Sequence, residues 1–278
     1  MRSDGVMIRE NEVRRTGVDP LLWIIPLLLS FFGIMMIFSL TSHTSLEEYG
    51  SPFALGLKQL QWLFVGLGGM LFMYMIPLAF WKKYSGVIWL FALVLLILTL
   101  IPGIGIKAGG ARRWLGFGGL RFQPIEMLSL AVAVHLSRLL NTSEKRGLSA
   151  FFTVTSPVLF ISVLPLLFQP NMGGTILIFG LVMAIHVKCR GWGWPILFGG
   201  AGFSVFFMLI LKEGYRLRRY IAFLDPWEQP LDSGFQVIQG LVAFSNGGLF
   251  GVGIGKGLQK LNYLPAAHTD YIFATIGE

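Results

Sequence analysis

Long apolar stretches dominate the chain, and short polar segments separate them. A transmembrane helix needs roughly 20 mostly apolar residues. Stretches of that kind lie near Leu21–Leu40, Leu60–Phe80, Gly86–Ile101, Gln123–Leu140, Phe151–Phe168, Gly173–His186 and Trp194–Leu211. The third and sixth are short, and an eighth stretch begins around His268. The pattern predicts an all-α polytopic membrane protein with seven spans and the start of an eighth. Residues 1–278 read as a single membrane domain. Three polar segments interrupt it: an N-terminal one over 1–20, a basic one over 103–122, and a long one over 212–267, which is expected to lie on the membrane.

Composition agrees with the pattern. The chain is 54% hydrophobic and only 13% charged, against about 25% charged residues in an ordinary soluble domain. So few charges cannot cover a water-facing surface. The excess of 22 Lys and Arg over 14 Asp and Glu, a net +8, needs no nucleic acid, because basic residues flanking membrane spans produce it. The single Cys189 excludes an intramolecular disulfide.

Orientation follows from Lys and Arg in short loops. Arg2, Arg9, Arg14 and Arg15 precede the first span, Lys82 and Lys83 follow the second, Arg138, Lys145 and Arg146 the fourth, and Lys188 and Arg190 the sixth. All fall on one side, which the rule makes cytoplasmic. Cys189 then faces a reducing compartment. One loop breaks the rule. The segment GIGIKAGGARRWLGFGGLRF, between spans three and four, places Lys107, Arg112, Arg113 and Arg121 on the outer side. Either three strong cytoplasmic clusters outvote it, or it holds an anion at the outer membrane surface.

Several short constellations carry chemistry. In RFQPIEM, Gln123 and Glu126 stand three apart on one helix face, and Pro124 suits a first turn. Glu126 either complements the helix dipole or, as an acid at a span, serves function. FQPNMGG reads as a turn built on Pro170, Asn171 and Gly173. His135 and His186 read as packed side chains. GVGIGKG fails the P-loop pattern, since Gly257 follows Lys256 where Ser or Thr is required. Thr269 and Asp270 precede an apolar run and suit a helix N-cap. A carboxylate at a lipid interface, near basic outer loops, is also where a general base for a lipid-borne substrate would sit.

The blocks GGARRWLGFGGLRFQPIE, YRLRRYIAFLDPW, GFQVIQG and GGLFGVGIGKGLQKLNYLPAAHTDYIFATIGE resemble the SEDS family of shape, elongation, division and sporulation proteins. The spelling is closer to its FtsW branch than to RodA. The resemblance implies a SEDS-type bundle of ten membrane helices, of which this chain supplies seven and the start of the eighth. Eleven residues from His268 are too few to cross about 30 Å at roughly 1.5 Å each, so continuation into further helices is expected. It also implies a peptidoglycan glycosyltransferase of the bacterial inner membrane, N-terminus cytoplasmic, polymerising lipid II during cell division. The expected partners are lipid II, a monofunctional class B penicillin-binding transpeptidase, other divisome proteins and the membrane, and no nucleic acid.

Residue by residue, the resemblance makes Asp270 the catalytic acid of the HTD motif. Arg112, Arg113, Arg121, Arg216 and Arg219 become cations for a leaving diphosphate. Trp114, Gln123, Glu126, Lys260, His268 and Thr269 complete the expected substrate-binding set. No cofactor is implied with certainty, and a divalent cation would share the work of the arginines. Three positions depart from the family pattern: Asn171 stands where Asp is usual, Ser129 where Lys is usual, and Ala266 where Glu is usual. Two rival readings stay open: a lipid II flippase, and a non-catalytic scaffold for a transpeptidase.

Overall fold

The computed structural model describes residues 19–108, 110–117, 120–193, 195, 197–202, 204, 221–232, 234–253, 256–258, 264, 267 and 269–278. The fold is mostly helical, as the apolar pattern predicts. In chain order it comprises α1 (Leu21–Tyr49), α2 (Ala54–Met75), α3 (Leu78–Leu98), a small sheet, α4 (Pro124–Thr142), α5 (Gly147–Phe168), α6 (Met172–Arg190), α7 (Phe235–Gly247) and the short α8 (Ile272–Gly277). Four of the described helices, α1, α3, α5 and α6, are long and apolar enough to cross a membrane. The expected seventh span, Trp194–Leu211, falls largely outside the described residues, although 197–202 are helical.

Two boundaries differ from the apolar pattern for local reasons. The run from Leu60 to Phe80 does not form one span. It breaks at Pro77, whose ring cannot continue a helix but suits the start of the next. Lys82 and Lys83 therefore lie within the first turns of α3 rather than in a loop. At the other extreme, α1 runs nine residues past Leu40 through polar TSHTSLEEY. Ser45 explains the extension: its hydroxyl donates to the Ser51 carbonyl at 2.7 Å and accepts from the Leu55 N–H at 3.2 Å. Gly50, at φ 69°, ends the helix in the left-handed conformation, which costs glycine little.

The chain divides into two compact units, one of 1–73 with 213–278 and the other of 74–212. The second is built around α4, whose buried Ile125, Leu128, Val132, Leu136 and Leu140 recur at helical spacing. They pack with Ala92, Leu93 and Leu96 of α3, Val158 and Leu166 of α5, and Ile178 and Val182 of α6. Polar side chains pin the same helices together. Trp89 stacks on His135 with centroids 5.1 Å apart and donates its indole N–H to Ser162 at 3.0 Å. Arg138 donates to Ser85 at 3.2 Å. Buried His186 meets the Thr155 hydroxyl at 2.7 Å, where α5 contains a π-helical turn over Phe151–Thr155. Both histidines are thus packed residues, as the sequence suggests.

The sheet is the element that an all-α reading misses. Strands β1 (Gly105–Ala108), β2 (Ala111–Phe117) and β3 (Leu120–Phe122) pair antiparallel in that order. They are short, glycine-rich and charged, so they give no clean alternation for a period-2 reading. In the other unit, α7 packs on the C-terminal segment through Ala243, Leu264 and Ala274, with Ala267 and Tyr271 beside them.

Candidate functional site

The expected site residues fall in both units. In the 74–212 unit, the sheet sets the basic side chains by register. Lys107 faces Arg112, Ile106 faces Trp114, and Gly116 faces Arg121. A bulge between Ile106 and Lys107 leaves Arg113 opposite no residue. A bulge re-aims the side chain at the extra position, and Arg113 donates from Nη2 to the Pro170 carbonyl at 3.1 Å. Its buried Nε has no hydrogen-bond partner among the described residues. Arg112, Arg113 and Trp114 are half-buried, and Arg121 is exposed. Buried Leu115 anchors the strand. Gly105 has to be glycine, because a Cβ there would collide with the Thr99 carbonyl.

The sheet leads straight into α4. Gln123 holds the cap position with extended backbone and makes no capping side-chain bond, and Pro124 opens the helix. Exposed Glu126 occupies the first turn, where its charge complements the helix dipole. Ser129, the position where the family has Lys, donates its hydroxyl back to the Glu126 carbonyl at 2.8 Å.

The turn after α5 contributes residues that sequence reasoning did not place in the site. Gln169 is almost fully buried and donates from Nε2 to the Leu96 carbonyl at 3.3 Å and to the Thr99 hydroxyl. It ties the end of α5 to the end of α3. Asn171 caps α6, its Oδ1 accepting the Gly174 N–H at 3.1 Å. The departure from Asp to Asn thus keeps the cap, for which both residues are suited. The only sequence signal for Gln169 was its place before Pro170. Hairpin and turn meet at one end of the unit. At the opposite end Arg190 donates to the Leu140 and Ser143 carbonyls, each at 2.6 Å.

In the other unit, Asp270 sits in a turn just before α8. The expectation that Asp270 or Thr269 caps the helix is not met. The cap position is Tyr271, whose side chain makes no capping bond. The Asp270 carboxylate is exposed and accepts no hydrogen bond from a described residue. Its position is fixed from behind. Tyr271 packs so closely on Gly240 of α7 that a Cβ there would lie 2.9 Å from the ring. Thr275 donates to the Ile272 carbonyl at 2.8 Å. Glu278, also buried, accepts the Leu258 N–H at 3.0 Å on Oε1, while its carbonyl accepts the Val252 N–H at 2.6 Å. Gly251 and Gly257 of the glycine-rich stretch thus lie against Glu278 at the end of α8. Thr269 is exposed in the same turn as Asp270. Arg216, Arg219, Lys260 and His268 lie outside the described residues. Among the described residues, no group of three or more His, Cys, Asp or Glu is placed to hold a metal ion.

Comparison with known proteins bears on both halves. The FtsW/RodA/SpoVE family, described as cell cycle protein, matches residues 19–278. The chain belongs to that family. Stage V sporulation protein E of Bacillus subtilis is 35% identical over 95% of this chain and 73% of its own length. A probable peptidoglycan glycosyltransferase FtsW of Saccharophagus degradans is 37% identical over 88% of this chain and 64% of its own. A solved structure, described as structural coordination of polymerization and crosslinking by a peptidoglycan synthase complex, aligns with a TM-score of 0.63 at 25% identity. It covers 90% of this chain and 69% of that one. The chain thus spans about two thirds to three quarters of the length of these relatives. The membrane bundle expected from the apolar pattern is the fold of this family.

Proposed function

We propose that this family member is a lipid II glycosyltransferase and that Asp270 is its general base. The observation that carries the reading is the state of Asp270. It is an exposed carboxylate on a turn fixed from behind, and it is not used as a helix cap. Relatives named as probable peptidoglycan glycosyltransferases support the reaction class. Asp270 takes the proton from an acceptor sugar hydroxyl. The freed oxygen attacks the anomeric carbon of the donor glycan with inversion. The bond from that carbon to the diphosphate breaks, and undecaprenyl diphosphate leaves with the electron pair. Cations stabilise the developing charge, the role that the family resemblance gives to the arginines. No ATP enters, because loss of the diphosphate drives the transfer.

The surroundings suit a lipid-borne substrate. A cavity of about 170 Å³ lies between apolar Phe32, Met36 and Leu40 of α1 and the glycine-rich turns, and much of α1 exposes Leu and Phe. We place the protein in the cytoplasmic membrane of a bacterium with its N-terminus inside and both polar segments outside. Its partner is a penicillin-binding transpeptidase, in line with a relative solved as part of a peptidoglycan synthase complex.

Asp270→Asn tests the reading in a protein of the relatives' full length, reconstituted with labelled lipid II. Polymerisation falls by on the order of 10²–10⁴-fold, while folding and transpeptidase binding persist. Normal polymer from the Asn variant at matched expression removes Asp270 from the reaction. Translocation of lipid II without polymer selects the flippase reading, and neither activity selects the scaffold.

A further inference from the structure

We propose that Lys82, Ser85 and Arg138 hold the phosphate of an anionic phospholipid headgroup, with one of its acyl chains in the cleft between α3 and α4. The site lies at the end of the 74–212 unit away from the basic sheet, and it rests neither on that sheet nor on the reaction proposed above. Here the start of α3, at Leu78, meets the end of α4, at Thr142. The charge rule makes this the cytoplasmic side. That rule accounts for cations at this end, but not for one being fixed beside an apolar cleft. Arg138 is exposed, yet its Nη1 donates to the Ser85 hydroxyl at 3.2 Å. Ser85 is buried, its hydroxyl also meets His135 Nδ1 at 3.3 Å, and the His135 ring stacks on Trp89. A packed network thus holds an exposed guanidinium in place. Arg presents a planar fork that matches phosphate oxygens in pairs, and a group already ordered loses less freedom on binding. Exposed Lys82 stands three positions before Ser85, on the neighbouring turn of α3, and adds a point charge. Lys83 is used otherwise, over the Tyr84 ring at 5.2 Å.

Trp81, Ser85, Ile88, Leu130, Ala131 and Val134 wall the cleft. Trp81, Ser85 and Ile88 share one face of α3, and Leu130, Val134 and Arg138 share one face of α4 by their spacing. Arg138 therefore stands one turn beyond Val134, at the end of the cleft nearest the membrane surface. Leu130 is 45% exposed, so the cleft opens outward. Trp81 lies in the first turn of α3, and tryptophan favours the headgroup level. The acid of this segment, Glu144, follows the end of α4 and does not line the cleft. A free phosphate would meet the cations and leave the apolar wall bare. A neutral lipid would cover the wall and leave the cations unused. An anionic phospholipid satisfies both, and such lipids draw basic residues to the cytoplasmic surface of a membrane.

The test measures the Tm of the full chain in nanodiscs of phosphatidylglycerol and of phosphatidylcholine, and the lipid it retains in detergent by native mass spectrometry. The variants are Lys82→Gln/Arg138→Gln together, Lys82→Gln alone, and Lys145→Gln/Lys188→Gln, which removes the same charge at the same end but outside the cleft. Phosphatidylglycerol raises the Tm of the unaltered protein above its value in phosphatidylcholine. The Lys82/Arg138 variant loses that gain and retains at least about 10-fold less phosphatidylglycerol, as expected for two basic contacts at a membrane surface. The Lys145/Lys188 variant behaves like the parent. Lys82→Gln leaves the Arg138–Ser85 bond intact, so it keeps the parent's Tm in phosphatidylcholine and still retains less lipid, which separates lost binding from lost folding. Equal losses in the two double variants assign the effect to the overall charge of the surface and overturn the site. The same Tm in both lipids, or undiminished retention by Lys82→Gln and the Lys82/Arg138 variant, overturns it as well. Dioleoyl phosphatidic acid displaces bound phosphatidylglycerol and glycerol 3-phosphate does not. Equal displacement by both overturns the place of an acyl chain in the cleft.

Discussion

The two units hold their candidate residues in different ways. In the 74–212 unit, position comes from side-chain bonds and strand register. Arg113 reaches Pro170, Gln169 reaches Leu96 and Thr99, and Asn171 caps α6. In the unit that carries Asp270, position comes from backbone contacts at glycines and small residues. Gly240 admits Tyr271, Gly247 admits the Gly277 carbonyl, and Val252 bonds the Glu278 carbonyl. The first arrangement tolerates conservative replacement, because another side chain can reproduce a bond. The second does not, because a single added carbon has to displace backbone.

The sharpest test of that contrast is Gly247→Ala. The new Cβ would collide with the Gly277 carbonyl oxygen, and relief requires α8 to move with Asp270 just ahead of it. Overpacking of this kind costs about 1–3 kcal/mol. The expected outcome is a clear loss in Tm together with a loss of polymerisation beyond what the stability loss explains. A variant that matches the parent in both would show that this unit is not fixed by its glycines.

Next in size is the cap on α6. Asn171→Ala removes the acceptor for the Gly174 N–H and costs about 1 kcal/mol, with Asn171→Asp restoring stability to within a few tenths. Thermal unfolding of the two variants side by side measures this. Rescue by Asp would also show that the departure from the family pattern at this position is neutral for folding. Equal loss in both variants would break the claim that this unit tolerates replacement in kind.

The smallest expected effect is at Glu126. With its carboxylate exposed in the first turn of α4, Glu126→Gln removes a dipole interaction of about 0.3–1 kcal/mol. If dipole complementation is its whole role, polymerisation follows that small change. A drop in polymerisation of 10-fold or more with unchanged Tm would assign Glu126 to the reaction.

Several elements were legible in the sequence because one physical rule governs each. The buried stripe of α4 follows helical spacing. The break at Pro77 follows from the ring, although the apolar run across it concealed the boundary. The family motifs marked the basic strand and Asp270. Other features had no local signature. The polar end of α1 is helical because Ser45 bonds residues in the following turn. The role of Asp270 as a cap looked natural from the residues before an apolar run, yet the helix starts one residue later, where Tyr271 packs on Gly240.

The amino-acid pattern by itself determined that this chain forms apolar helices with basic and glycine-rich segments between them, and that Asp270 and the arginines stand at their borders. Hydrophobic period and charge placement are local properties, and a linear reading captures them. Only the tertiary structure decided which of those charges have partners. The bulge sends Arg113 to Pro170 and leaves Lys107 facing Arg112 at a pocket that Gln169 helps to wall. Register and bulge depend on how the strands pair across the hairpin, and the meeting of the hairpin with the turn after α5 depends on contacts between residues more than 50 positions apart, which no property of either segment alone encodes.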